Sequence, residues 1–299
     1  MKLILKENSW SNPRAFFLES LFKDYFELTT DLTSDGLLYV HWPDYEWAKS
    51  LNRPGIVDHL WEPWENPTIQ DTEYLKVIRS DGWFAIANEC LWYKALGYDS
   101  YRSTYINDKT FIMTMNKQKP HRDLLWDKIQ PHLTNAIYSY QGQGVELQGA
   151  IDINQTDPTW QRHFNSEWYD HTRFSLVVES ELITEPFSHS EKGLKPMAFR
   201  HPFVVWGPSG YLEWLRVQGF VTFDHLIDER YDLEKDNSKR LEMVIAEVAR
   251  LNNLPKQCFQ NPETELRLDY NQKRFYNTKW ALEKFEKYFD TIKQYSHSW

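Results

Sequence analysis

Short apolar runs alternate with longer amphipathic stretches along the chain, and the two patterns predict strands and helices respectively. In the first hundred residues, four apolar runs predict strands: KLILKE (2–7), GLLYVHW (36–42), GIVDHLW (55–61) and YLKVIR (74–79). Two amphipathic stretches predict helices over residues 13–26 and 82–97. The first opens at Pro13 and the second stops at Gly97, as helix termini commonly do.

The same alternation continues through the remainder of the chain. Strands are predicted at FIMTMN (111–116), AIYSY (136–140), FSLVVE (174–179) and PFVVWG (202–207). Helices are predicted at residues 121–133, 190–199, 209–219 and 236–253. Strands that alternate with helices in this way predict an α/β fold, with parallel sheets covered by helices on both faces.

A final helix is predicted near the carboxyl terminus. In residues 279–294, Leu282, Phe285, Phe289 and Ile292 recur at steps of three and four and form one apolar face. The loop-like stretch 97–109 is the expected passage between two α/β halves. We therefore expect domains over residues 1–107 and 108–275, followed by a helical segment over residues 276–299.

Composition and charge limit the function classes. The 299 residues are 41% hydrophobic and 26% charged, which is typical of a globular protein with ample core. The 14 Trp and 17 Tyr suit either a thick core or a cleft that holds flat ligands. A net charge of −9 argues against non-specific nucleic-acid binding. Two cysteines provide no disulfide framework or zinc motif, and no signal or membrane-spanning segment is apparent, so we expect a cytoplasmic protein.

Candidate chemistry concentrates between residues 174 and 210. Glu179 ends one predicted strand, and Ser190 is placed to cap the next helix, whose first turn holds Glu191 and Lys192. Carboxyl ends of parallel strands and helix N-termini are where α/β proteins bind phosphates and nucleotides. These residues therefore predict a nucleoside diphosphate site, although Glu191 and Lys192 also suit an ordinary solvated helix start. Gly207 opens either a simple turn or a close approach of backbone to ligand.

This segment resembles the donor-binding motif of α1,3-fucosyltransferase-type enzymes. In that family a Glu-Asn pair ends one strand and Thr-Glu-Lys opens the next helix, before an apolar strand that ends in Gly-Pro. Here Ser180 and Ser190 replace the asparagine and the threonine, and the loop between them is longer. The resemblance spans residues 111–252, and only the 174–210 motif is specific. Similar segments occur in bacteriophage-encoded glycosyltransferase-like proteins.

The resemblance implies a GT-B architecture, in which two Rossmann-like domains face a cleft and the second holds the nucleotide sugar. Glu191 and Lys192 would then hold the ribose and the diphosphate, with Glu179 alongside. Arg122, at the start of the helix after strand 111–116, would also meet the diphosphate. The carboxyl-terminal helix would pack back toward the N-terminal domain.

Inverting sugar transfer needs a base that removes the proton of the acceptor hydroxyl, and we expect it on the first domain. The candidates are acidic residues that follow two apolar runs: Asp44, Glu46, Asp58, Glu62 and Glu65. We favour Glu62, with Asp44 next. The alternative is that all five are solvated loop carboxylates without a catalytic role. No Asp-x-Asp pair occurs, which favours neutralisation of phosphate by Lys, Arg and a helix dipole without a metal ion.

The sequence thus predicts a metal-independent glycosyltransferase (a hexosyl- or pentosyltransferase). Its donor substrate would be a nucleoside-diphosphate sugar, with no other cofactor. Its acceptor would be a hydroxyl of a glycan or of a modified DNA base. The alternative is a non-catalytic module that binds a nucleotide or sugar.

Overall fold

The structure is a computed structural model that describes residues 1–6, 20–60, 68–80, 82–147, 165–184 and 189–296. The chain forms two compact units. The first unit comprises Met1–Trp92 together with Asn277–Trp299, and the second comprises Tyr93–Tyr276. The boundary expected near residue 107 lies inside the second unit.

The first unit is built on a five-stranded sheet in the order β2-β1-β3-β4-β5, and every strand pair in it is parallel. The strands are β1 (Lys2–Leu5), β2 (Glu27–Thr29), β3 (Leu37–His41), β4 (Gly55–His59) and β5 (Leu75–Arg79). The interior strands are buried along most of their length, as expected where helices cover both sides of a parallel sheet. The short edge strand β2 has no apolar alternation, and the sequence pattern did not predict it.

Among the described residues, the helices that belong wholly or largely to the first unit are α1 (described over residues 20–25), α2 (Tyr45–Ser50), α3 (Trp83–Ala95) and α10 (Thr278–Ser296). Of the apolar face predicted on α10, Phe285, Phe289 and Ile292 are buried, whereas Leu282 is 41% exposed. Ala281 and Tyr288 complete the buried face instead.

The second unit contains a four-stranded sheet in the order β7-β6-β8-β9, again parallel throughout. Its strands are β6 (Lys109–Met115), β7 (Ile137–Tyr140), β8 (Thr172–Val178) and β9 (Phe203–Trp206). Its helices are α4 (Pro120–Ile129), α5 (Ser166–His171), α6 (Glu191–Ala198), α7 (Tyr211–Val217), α8 (Asn237–Asn252) and α9 (Pro262–Phe275). The predicted α/β class with parallel sheets is confirmed in both units.

Helix ends in the second unit follow the capping residues in its sequence. Ser190 caps α6, and Asp236 caps α8 by accepting from the backbone N–H groups of Ser238 and Lys239. Asp232 accepts from the N–H groups of Leu212 and Glu213, at the start of the preceding helix α7. Along the described ranges, no helix has the length and apolar character needed to cross a bilayer.

Candidate functional site

The candidate site lies at the carboxyl edge of the second sheet. Because the strands are parallel, the ends of β6, β8 and β9 meet at one edge, and the residues that follow them lead into α4, α6 and α7. Glu179 immediately follows β8, and Gly207 immediately follows β9. The fold therefore brings together the segments in which the sequence predicted donor-binding residues.

Glu179 is fully buried, and both of its carboxylate oxygens accept hydrogen bonds from the protein. The Tyr211 hydroxyl donates to Oε1 at 2.7 Å, and the Ser190 hydroxyl donates to Oε2 at 2.6 Å. The backbone N–H of Ser180 also lies 3.3 Å from Oε2. Burial and the adjacent Glu179 charge raise the pKa of Tyr211 far above its usual value, so its hydroxyl remains a donor. The carboxylate thus joins the end of β8 to the starts of α6 and α7.

The first turn of α6 carries the charged pair that the sequence singled out. Ser190 uses its hydroxyl twice, because it donates to Glu179 and accepts from the backbone N–H of Lys192 at 3.4 Å. The Lys192 ammonium donates to Glu191 Oε1 at 3.0 Å. These two side chains are 19% and 14% exposed, so the pair is partly withdrawn from solvent. An ammonium at a helix N-terminus, where backbone N–H groups point outward, can hold a phosphate.

Two glycines permit this close packing. A Cβ on Gly193 would lie 1.8 Å from the Tyr211 hydroxyl and 2.8 Å from Glu179 Oε1, which no side chain could tolerate. A Cβ on Gly207 would lie 3.1 Å from Glu179 Cγ. Val205 Cγ1 would lie at the same distance, so a larger residue at position 207 would crowd both Glu179 and Val205.

Arg122 is 2% exposed and holds backbone carbonyl groups. Its Nη2 donates to the Glu179 carbonyl at 3.1 Å, and its Nη1 donates to the Lys117 carbonyl at 2.9 Å. His121 Nε2 lies 3.1 Å from the same Glu179 carbonyl. Arg122 thus fastens the segment after β6 to the end of β8, and its predicted contact with a diphosphate stays a prediction.

A second buried arginine supports the other side of the site and was missed by sequence reasoning. Arg240 of α8 donates from Nη2 to the Gly207 carbonyl at 3.0 Å, and its guanidinium lies 5.3 Å from the Trp206 ring centre. Arg240 sits among ordinary helix residues, so no local signal marks it. Nearby, the loop 224–233 borders a cavity of about 590 Å³ that Arg216, Asp228 and Glu229 help to line.

The residues predicted to supply the catalytic base belong to the first unit. Glu62 lies outside the described residues. Asp44 lies in the turn before α2 and pairs with Lys6, which follows β1. Asp58 is not a solvated loop carboxylate: it lies inside β4, is 1% exposed, and faces His41 of the neighbouring strand. Sequence reasoning left out His41, although its place at the end of a predicted strand was a usable signal.

Comparison of the chain with family models, curated proteins and solved structures found no match in any of the three. Fold and site together define an α/β protein of two parallel-sheet units. At the strand ends of the second unit, a buried carboxylate organises a helix N-terminus that carries a lysine.

Proposed function

We propose that this protein is a glycosyltransferase of the GT-B class, which binds a nucleoside-diphosphate sugar at the carboxyl edge of the second sheet. The observation that carries this proposal is the position of the α6 N-terminus. Ser190 and Glu179 fix its first turn against the end of β8, where the Lys192 ammonium and the positive end of the helix dipole can receive a diphosphate. The motif that resembles the fucosyltransferase-type enzymes maps onto these same contacts.

The contacts divide the donor-side residues into two roles. Glu179, Ser190, Gly207 and Arg122 interact with other protein groups and support the site by positioning it. Lys192 and Glu191 are the residues of the motif with partly exposed charges. We therefore assign the diphosphate to Lys192 and a ribose hydroxyl to Glu191, which requires the ligand to replace their mutual ion pair.

Binding of the donor tests this assignment. A thermal-shift panel of UDP-, GDP- and CMP-sugars would first identify the nucleotide sugar that stabilises the protein, because a ligand of the native state raises the melting temperature. Calorimetry should then show that Lys192→Ala weakens binding about tenfold or more, which corresponds to roughly 1.4 kcal/mol. Glu191→Gln should weaken binding by a smaller factor.

Lys195→Ala provides the matched control, because Lys195 lies in the last turn of the same helix. Its affinity should equal that of the wild type. Unchanged affinity in both Lys192→Ala and Glu191→Gln would remove the proposed donor site. Slow hydrolysis of the bound sugar nucleotide would indicate transfer chemistry. Binding without any release of the sugar would indicate a non-catalytic nucleotide-binding module.

A further inference from the structure

Three of the arginines that the structure describes are buried, and they differ in how their charge is balanced. Arg200 is 6% exposed, and its guanidinium forms ion pairs with Glu265, at 2.8 Å, and with Asp269. Arg122 and Arg240 are each 2% exposed. Within the described part of the chain, neither of these two guanidiniums has a carboxylate as ion-pair partner. Two positive charges are therefore buried without a carboxylate in contact.

The hydrogen-bond partners of Arg240 are neutral groups. Its Nη1 donates to the Glu234 carbonyl at 2.8 Å, and its Nη2 donates to the Gly207 carbonyl at 3.0 Å and to Asn237 Oδ1 at 2.5 Å. Its Nε is buried and has no hydrogen-bond partner among the described residues. Carbonyl and amide oxygens hold the guanidinium in place, but they carry no full negative charge to balance it.

The Trp206 side chain links the surroundings of the two arginines. Its ring centre lies 5.3 Å from the Arg240 guanidinium. Its Nε1 donates at 3.1 Å to the carbonyl of His121, the neighbour of Arg122 in α4. Arg122 in turn holds the Glu179 carbonyl. Both charges thus lie near the ends of β8 and β9, at the carboxyl edge of the second sheet.

The same edge of the sheet fixes the start of α6. A Cβ on Gly207 would lie 3.1 Å from Glu179 Cγ, so the carbonyl that Arg240 holds belongs to a residue packed against Glu179. The Glu179 carboxylate accepts at 2.6 Å from the hydroxyl of Ser190, the cap of α6. The Arg240 charge is therefore placed close to the segment that fixes the α6 N-terminus.

The charges around Arg240 do not offset the effect of its burial. Burial lowers the pKa of Arg240, and the charges of three acidic residues that precede it in the chain counteract this only in part: Asp232, Glu234 and Asp236. Each of these carboxylates already accepts from a backbone N–H group. Burial also acts on Arg200, but its hydroxyl and carboxylate partners outweigh burial and raise the pKa. An anion bound at this edge would therefore stabilise Arg240, because a buried charge is costly until it is paired.

We infer that Arg240 makes the donor site selective for a ligand with the negative charge of a diphosphate, and that Arg122 adds to this charge. This inference rests on the proposed glycosyltransferase function, because it concerns the same site. Arg240 is a positioning residue, since it holds Gly207 and contributes its charge from the interior without touching the ligand. A charge in the interior acts more strongly at a distance than one on the surface, because the effective dielectric constant is lower and salt screens it less.

Three ligands with the same base test this selectivity at pH 8: the nucleoside, the nucleotide sugar selected by thermal shift, and the free nucleoside diphosphate. The nucleoside is uncharged, and the nucleotide sugar carries one negative charge on each phosphate. The free diphosphate carries more, because its terminal phosphate loses a second proton at about pH 6. Calorimetry, with competition experiments for the weaker ligands, gives the three affinities for each variant.

Arg240→Met removes the charge and keeps a long, unbranched side chain. It should weaken binding of the nucleotide sugar about tenfold and that of the diphosphate by more, whereas the affinity for the nucleoside should change by less than about twofold. Arg240→Lys keeps the charge and should retain most of the preference for the charged ligands. Arg200→Met is the matched control, because it removes a buried arginine that follows α6 and pairs with α9. It should bind all three ligands as the wild type does.

The outcomes separate this inference from the proposed function. A wild type that binds no nucleotide sugar of the panel overturns the donor site and the role of Arg240 together. Equal losses for all three ligands in Arg240→Met, or no loss for any, would overturn the charge role and leave the donor site standing. If Arg240→Met does not fold, Arg240→Lys and the wild type decide. Loss of the preference in Arg240→Lys, or a wild type that binds the nucleoside as tightly as the nucleotide sugar, contradicts the inference.

Discussion

At the scale of single residues, His201 shows how burial fixes a protonation state. His201 is 4% exposed, its Nε2 donates to the Thr172 carbonyl at 2.8 Å, and its Nδ1 accepts from the Ser175 hydroxyl at 2.8 Å. Burial lowers its pKa to about 4. The folded protein therefore holds this histidine neutral at pH values where the unfolded chain, with an ordinary pKa of 6.5, binds a proton.

The second unit should accordingly lose stability in acid. The contribution of His201 is fully present above pH 6.5 and is lost as the pH falls toward 4, by about 3 kcal/mol in total. His201→Gln should flatten the pH dependence over this range while lowering stability at pH 7. Urea titrations at pH 4, 5.5 and 7, in which hydrogen exchange of β8 and β9 peptides monitors unfolding, would measure both effects. Parallel pH profiles for wild type and variant would contradict the assignment.

The residues of the proposed donor site show which features of a site can be predicted from the sequence and which cannot. Glu179, Ser190 and Lys192 were found from the sequence because a strand end and a helix cap have local signatures. The partner that decides the role of Glu179 is Tyr211, 32 residues away, and the support of Gly207 comes from Arg240. The packing of the fold decides which distant side chains contact a buried group, so no local sequence pattern predicts them.

At the scale of elements, α10 shows that hydrophobic periodicity in the sequence and burial in the structure do not always coincide. The ring of Phe289 lies 4.8 Å from that of Phe22, 4.6 Å from that of Tyr25 and 5.6 Å from that of Phe26, measured between ring centres. Leu282 belongs to the same apolar repeat but is 41% exposed. The repeat alone assigns both residues to one face, whereas the structure buries only Phe289.

Phe289→Ala should therefore destabilise the first unit by about 3–5 kcal/mol, because it leaves a cavity among aromatic rings. Leu282→Ala should change stability by less than about 0.5 kcal/mol, since the side chain is largely in solvent and alanine favours the helix. Urea unfolding, monitored by hydrogen exchange of β3 and β4 peptides, compares the stability of the two variants, which lie on the same helix. Equal costs would show that periodicity predicted burial correctly and that the described packing of α10 is wrong.

The helix α9 illustrates the opposite case, an element whose buried face is mostly polar, with Leu268 and Phe275 as its apolar members. Its buried face includes Thr264, Asn271 and Gln272. Asn271 exchanges two hydrogen bonds with the backbone of Val221, and Gln272 donates to the Ala198 carbonyl at 3.2 Å. Because polar residues line this interface, hydrophobic periodicity could not predict the helix, even though Asn261 caps it and Pro262 opens it.

At the scale of the whole molecule, the chain ends in the unit in which it began. Residues 277–299 belong to the first unit, and Tyr288 of α10 lies against Tyr39 of β3 through a 2.8 Å hydroxyl contact. The first unit is therefore discontinuous in sequence, while the second is a single segment with its own sheet and core.

A chain that stops after Tyr276 should lose the fold of the first unit and keep that of the second. Removing α10 exposes the apolar surface that its buried face covers, whereas β6 and β8 keep their partners. Hydrogen exchange should then be fast in β3 and β4 peptides and remain slow in β6 and β8. A chain that stops after Ser296 is the control and should match the full length. Slow hydrogen exchange in β3 and β4 of the shorter chain would refute the dependence of the first unit's fold on α10.

By itself the sequence determined the α/β class, most strands and helices, and the convergence of Glu179, Ser190 and Lys192 at one sheet edge. These follow from local rules, because side-chain period, helix caps and parallel connections act over a few residues. Only the tertiary structure decided that Glu179 faces inward, that Arg122 holds carbonyl groups, and that His41 meets Asp58. Those outcomes depend on which distant groups share a buried space, since a polar group removed from water must find its partners there.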